Sequence, residues 1–260
     1  MKKYILFCLL GYSAMTLNAQ TKTKYETVFF EDVTEESIIA RFNVTGALSE
    51  NEVIKAKVKV TNYTDKTLVL KPEECFYTTA KGDLASRDRW IIIAPRQQES
   101  KVIDVKGNDL KTEATTLKIN GLYVCNHVES FDAGSIALPP EKEMVIGNFR
   151  VELDGYDQDG KEIMIKYKIR YIGDKIGSFV PAKVTLKSAE GQEYKNMKEK
   201  DKVYSFKKNE DYLVGFLYIS DSKKGNKLSW NTAFGESVPE KTENVNIELK
   251  MDFAKTKDKN

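Results

Sequence analysis

The chain has 260 residues but only one histidine, His127, and three cysteines, Cys8, Cys75 and Cys125. That scarcity excludes much chemistry. Structural zinc sites take four Cys or His ligands, and Cys125 with His127 has no second cluster to complete such a set. A serine or cysteine nucleophile needs a base, and only His127 can serve. On a strand, Cys125 and His127 would share a face about 7 Å apart, too far for direct activation. The 15 glycines are scattered at turns, so no glycine-rich loop is present to cradle a phosphate. Helical signal is also scarce, since no long stretch sustains apolar spacing at three and four. No cofactor is expected.

The one sustained apolar run opens the chain. Lys2 and Lys3 precede Tyr4 to Leu10, the run softens through Gly11, Ser13, Ala14 and Thr16, and it ends at Asn18-Ala19-Gln20. This is the three-part layout of a secretory signal peptide over residues 1–20, and its ending resembles those of Gram-negative bacteria. A membrane span needs about 20 apolar residues, and the polar run from Gln20 to Glu26 comes too soon. Cys8 lies inside the apolar run, behind bulky Phe7, which is the wrong place for a lipid-acylated cysteine. The expected address is the periplasm or the extracellular space, with no stable membrane insertion after cleavage.

Charge of one sign is missing as well. Of 41 basic residues, removal of the leader takes Lys2 and Lys3, leaving 39 against 39 acids and a net charge of zero. A neutral chain has no electrostatic footprint for nucleic acid. Cys75 and Cys125 remain after cleavage. In an oxidising compartment they either form a disulfide, closing a loop that chain entropy values at about 4 kcal/mol, or stay as two buried thiols.

What is present is strand periodicity. Ile54, Ala56, Val58 and Val60 alternate with Lys55, Lys57 and Lys59, and only a period of two divides them so. Ile163, Ile165, Tyr167, Ile169 and Tyr171 alternate with Lys166, Lys168 and Arg170, and the pattern returns from Val245 to Phe253. About sixteen candidate strands at short spacing predict an all-β, antiparallel β-sandwich architecture. Eight fall before Asn126 and eight after Gly134. We therefore expect two units, residues 21–126 and 135–254, with a boundary in 126–135 and a disordered tail over 255–260. Residues 190–201 read as a short helix or a charged loop.

The strand from Ile54, the segment "VTNYTDKTLVL" and the later "IIIAPRQQESKVIDV" resemble immunoglobulin-like sandwich domains of secreted bacterial proteins. The resemblance covers about the first half of the chain. It implies a fold and no activity. The chain departs from antibody-type domains, because no tryptophan lies between suitably spaced cysteines.

Three sets of residues carry candidate sites. Asp154, Asp157, Asp159 and Glu162 cluster around a hairpin loop and offer the carboxylate oxygens that calcium takes. They depart from the twelve-residue calcium pattern, and Asp with Gly is also what a plain turn requires. Trp90, Tyr123, Phe131, Trp230 and Phe234 lie near expected strand ends, where an exposed ring stacks on sugar or peptide; the competing expectation is that they are core. The 39 acids leave room for the paired carboxylates of a glycoside hydrolase. The leading expectation is an exported, non-enzymatic binding or structural protein of the cell envelope that contacts another protein. A carbohydrate-binding accessory module and a carboxylate-based glycoside hydrolase are the alternatives, so the expected partner is an envelope protein or a polysaccharide.

Overall fold

The computed structural model describes residues 25–87, 89–199, 202–221 and 225–260. The expected signal peptide, residues 1–20, lies outside them. The described residues form an all-β protein of antiparallel strands with one short helix. Among them, no helix is long and apolar enough to cross a membrane.

Alternation in the sequence becomes alternation in burial. Along Val53–Asn62, Ile54, Ala56, Val58 and Val60 are buried while Lys55, Lys57 and Lys59 stand on the other face. Along Glu162–Tyr171 every odd-numbered residue from Ile163 is buried. Each such Val or Ile contributes about 1.5–3 kcal/mol by leaving water, so a slip of one residue would exchange core for solvent.

Two large cores result. The first gathers Phe42, Val58, Leu70, Tyr77, Ile103 and Leu117 with Val245, Ile247 and Leu249. The second gathers Phe149, Tyr167, Phe179, Phe206, Trp230 and Phe234 with their neighbours. The last strand therefore belongs to the first core: Val245–Lys250 pairs antiparallel with Ala114–Ile119. The expected second unit, 135–254, included this strand; periodicity reports that a strand exists and not which sheet takes it.

The expected boundary at 126–135 falls on paired backbone. It lies largely within the strand Leu122–Phe131, which pairs with Phe234–Lys241 from Tyr123 to Phe131. The six-stranded sheet built around this pair runs Tyr204–Phe206, Ile176–Phe179, Phe234–Lys241, Leu122–Phe131, Leu68–Leu70, Ile91–Ile93. It serves both cores, for Leu68, Leu70 and Ile93 enter the first while Phe179, Phe206 and Phe234 enter the second. Val69, Cys125 and Ile176 form a third, small cluster, with Trp90, Ile92 and Tyr123 packed against it. The two edge strands of the sheet also meet, and Thr67 and Ser205 join by a hydroxyl hydrogen bond of 3.0 Å beside that meeting. The sheet thus nearly closes on itself.

Smaller differences have local causes. The run from Met144 to Leu153 reads as one strand but folds as Glu143–Ile146 and Phe149–Asp159, turned at Gly147, whose φ is +54°. That region of the backbone suits glycine. Residues 193–195 form a strand paired with Thr185–Lys187, not a helix. The tail expected to be disordered forms the helix Phe253–Lys259. Asp252 caps it by accepting from the Lys255 amide, and Thr256 is buried, with its hydroxyl accepting from the Phe29 amide at 3.0 Å. Absence of apolar residues suggested disorder, and a cap with one buried threonine reverses it.

Candidate functional site

The structure separates the five aromatic candidates. Trp230 is 0% exposed and Phe234 is 1% exposed, and their rings stack on each other with centroids 5.5 Å apart. Both are core. Phe131 packs partly buried against Phe149 and lines an open cavity of about 560 Å³ with Ser130, Asp132 and Glu141. Trp90 and Tyr123 remain accessible and pack against the same small cluster, Trp90 beside the edge strand where the six-stranded sheet nearly closes and Tyr123 two strands in from that edge.

This seam draws on residues that flank both cores. Trp90 ends the segment between the strand Gly82–Ala85 and the sheet's edge strand Ile91–Ile93. Lys71 is fixed between the two aromatic rings, its Nζ 4.5 Å from the Trp90 centroid and 4.1 Å from that of Tyr123. Its own amide donates to the Gly121 carbonyl at 2.9 Å. Gly121 is required there, since a Cβ would stand 2.3 Å from the Lys71 carbonyl oxygen. Behind the rings, Glu74 accepts from Tyr123 Oη at 2.7 Å and from Lys241 Nζ at 3.0 Å. Burial alone would raise the Glu74 carboxyl, but the bonds from Tyr123 and Lys241 and the charge of Lys71 hold it below its usual range. The same bond, with burial, pushes the Tyr123 phenol up to about 12.

The front of the seam is an open cavity of about 550 Å³ lined by Glu73, Ser86, Arg87, Arg89, Trp90 and Lys207. The Trp90 indole N–H donates to Glu73 Oε1. Lys207 arrives from the opposite edge of the sheet, just after Tyr204–Phe206, and its Nζ donates to the Trp90 carbonyl at 2.6 Å. Burial lowers the Lys207 ammonium's pKa, and the charges of Lys101 and Arg89 lower it further, against a raising effect from Glu210. Among the described residues, three cations therefore share the cavity wall with one carboxylate, Glu73, which is engaged by the indole.

The remaining candidates are not assembled into sites. The hairpin holding Asp154, Asp157, Asp159 and Glu162 is paired up to Asp159↔Glu162 and turns on Gly160 and Lys161. All four carboxylates are exposed, spread along the ladder and past a bulge at 153–155. Among the described residues, no group of three or more acidic, Cys or His residues is placed to hold a metal. Cys75 and Cys125 are both buried and free. Cys75 belongs to the first core and Cys125 to the small third cluster. Burial pushes both thiols up to about 12, far from reactive thiolates.

His127 pairs with a residue that period-two reasoning puts on the opposite face. A register shift between His127 and Glu129 brings its Nε2 to 2.9 Å from Ser130 Oγ. Both residues are exposed. Among the described residues, no carboxylate accepts a hydrogen bond from the ring's other nitrogen.

The best-placed carboxylate pair is Glu129 and Glu236, which sit directly opposite on paired strands and share Lys175. Glu236 is 1% exposed. It accepts from Asn148 Nδ2 at 2.6 Å and Tyr171 Oη at 2.7 Å, and Lys175 Nζ lies 3.0 Å away. Burial alone would raise its pKa, yet these three donors lower it below the usual carboxylate value. A glycosidase acid needs the opposite shift.

Arg87, Arg89, Lys207, Lys71 and Glu73 were not legible as a site in the sequence. The run Ser86-Arg87-Asp88-Arg89-Trp90 places two guanidinium groups beside an indole, which was the available signal. Lys207 lies more than a hundred residues away and only folding brings it there. The chain matches no protein-family model, and no curated protein matches it in sequence.

Proposed function

We propose that this chain is an exported, non-enzymatic binding protein of the bacterial cell envelope, acting from the periplasm or outside the cell, and that it contacts another protein through the seam at Trp90. The observation that carries the reading is the seam itself: a half-buried indole among three cations, on a rigid sheet joining both cores. Aromatic and arginine side chains are enriched where proteins bind one another. The two cores, each faced by antiparallel sheets, support taking the halves as immunoglobulin-like sandwiches, a fold that by itself implies no activity. The depressed Glu236 and the unoriented His127–Ser130 pair weigh against hydrolysis.

A polysaccharide is the weaker reading. Sugar platforms present flat, open rings, whereas Trp230 is core and Trp90 has Lys71 over one face. The test is photo-crosslinking in cells that make the full chain, with benzoylphenylalanine in place of Trp90 or, as a control, of Lys57 on the exposed face of Val53–Asn62. The proposal expects one discrete protein adduct at position 90 and not at 57. Adducts to polysaccharide alone, or the same pattern at both positions, would overturn it.

A further inference from the structure

We infer that the seam takes an acidic peptide segment of its protein partner, with the carboxylates of that segment bound by Arg87, Arg89 and Lys207. This rests on the reading of the seam as a protein-contact site and adds the chemistry of what enters it.

The cavity wall is charged out of balance. Of its described lining residues, Arg87, Arg89 and Lys207 are cationic and Glu73 is anionic. Among the described residues, no carboxylate lies within ion-pair distance of Arg87, Arg89 or Lys207, although elsewhere Arg41, Arg150 and Arg170 each hold one. Asp88, between the two arginines, lies outside the described residues. Lys207 is half-buried and held at the wall by the Trp90 carbonyl, with Glu210 on one side and the charges of Lys101 and Arg89 on the other. Its ammonium meets a neutral acceptor, and no salt bridge to it is formed among the described residues, so the wall retains room for a further carboxylate. Guanidinium groups meet carboxylates through paired N–H donors, and such charge-assisted bonds are about twice as strong as neutral ones.

Shape favours a chain over a small anion. At about 550 Å³ and open to solvent, the cavity is far larger than one carboxylate, and its cations come from opposite edges of the sheet, which spreads them along the seam. The indole edge and the Ile92 and Tyr123 side chains beside it offer apolar surface to the residues between the acids. Alternating acid and apolar groups are what an acidic peptide provides. A polyuronate offers acids too, but would lean on an open ring face.

The test is fluorescence anisotropy of a fluorescein-labelled hexaglutamate peptide titrated with the purified protein at low salt, with hexaglutamine as the neutral probe and polygalacturonate as competitor. Arg87→Gln/Arg89→Gln removes two exposed groups that make no hydrogen bond among the described residues, so the fold should survive, which circular dichroism checks. Lys57→Gln/Lys59→Gln removes the same charge from the exposed face of Val53–Asn62. We expect hexaglutamate to bind at least about tenfold tighter than hexaglutamine, R87Q/R89Q to lose about tenfold, and K57Q/K59Q to lose less than about twofold. Equal losses in the two double variants would mean general charge attraction and overturn the inference. So would displacement by polygalacturonate at lower carboxylate concentration than the peptide itself. If the position-90 crosslink to a protein persists in R87Q/R89Q, the contact site stands and its acidic specificity falls. If hexaglutamate binds as expected but position 90 crosslinks no protein, the functional reading falls instead.

Discussion

Replacing Glu236 by alanine strands a hydroxyl. Tyr171 is fully buried, and its Oη donates to Glu236 Oε1 at 2.7 Å. A buried donor left without an acceptor costs about 1–3 kcal/mol, and loss of hydrogen bonds to a charged group costs about 1.5–3 kcal/mol. Lys175 and Asn148 are solvent-accessible and turn to water, so they add little. Glu236→Ala should therefore cost about 3–4 kcal/mol. Glu236→Gln keeps an oxygen that can accept from Tyr171 and should cost about 1 kcal/mol. Tyr171→Phe removes the stranded hydroxyl, so the double variant E236A/Y171F should be about 1–2 kcal/mol less destabilised than the sum of its single changes. The assay is urea unfolding at pH 7 followed by far-ultraviolet circular dichroism. Strict additivity of the two changes, within about 0.5 kcal/mol, would refute the claim that the carboxylate is held by Tyr171.

The same carboxylate sets a pH dependence. Its folded pKa is depressed, so its contribution is fully present above the unfolded value of about 4.3 and is lost as pH falls through the lower folded value. Stability measured from pH 6 down to about 3 should drop less steeply in E236Q than in the parent, and parallel curves would contradict this. Trp230→Ala should cost about 3–5 kcal/mol by opening a cavity among Tyr167, Phe179, Phe216 and Phe234. Trp230→Phe should cost clearly less, because it also removes an indole N–H that has no partner among the described residues; equal unfolding midpoints for the two would count against that packing. Millimolar calcium should leave the melting temperature unchanged, since Asp154, Asp157, Asp159 and Glu162 are spread along a ladder. A rise of several degrees that Asp157→Asn abolishes would show a site there.

Period two carried the fold a long way. Ile54 to Val60, Ile163 to Tyr171 and Val245 to Leu249 are half-buried strands because their alternation has one structural solution. Pairing was another matter, for nothing in Val245 to Lys250 says that its neighbour is Ala114–Ile119. The polar stretch Asn126 to Ser130 looks like a linker, yet its backbone is paired and only its side chains face water. Gly147 hid a turn inside an apolar run. Of the seam, Trp90 and Tyr123 were visible as large aromatics, but so were Trp230 and Phe234, and burial alone separates them. The cations of the seam were lost among 41 interspersed basic residues, because charge convergence is a property of the folded chain.

Backbone hydrogen exchange tests the central claim most directly, comparing the chain alone with the chain bound to the protein recovered at position 90. The account predicts added protection over residues 71–76, 86–93 and 204–210, the segments that wall the seam. Protection confined to the outer face of the 149–171 hairpin, with the seam exchanging as in the free chain, would contradict it.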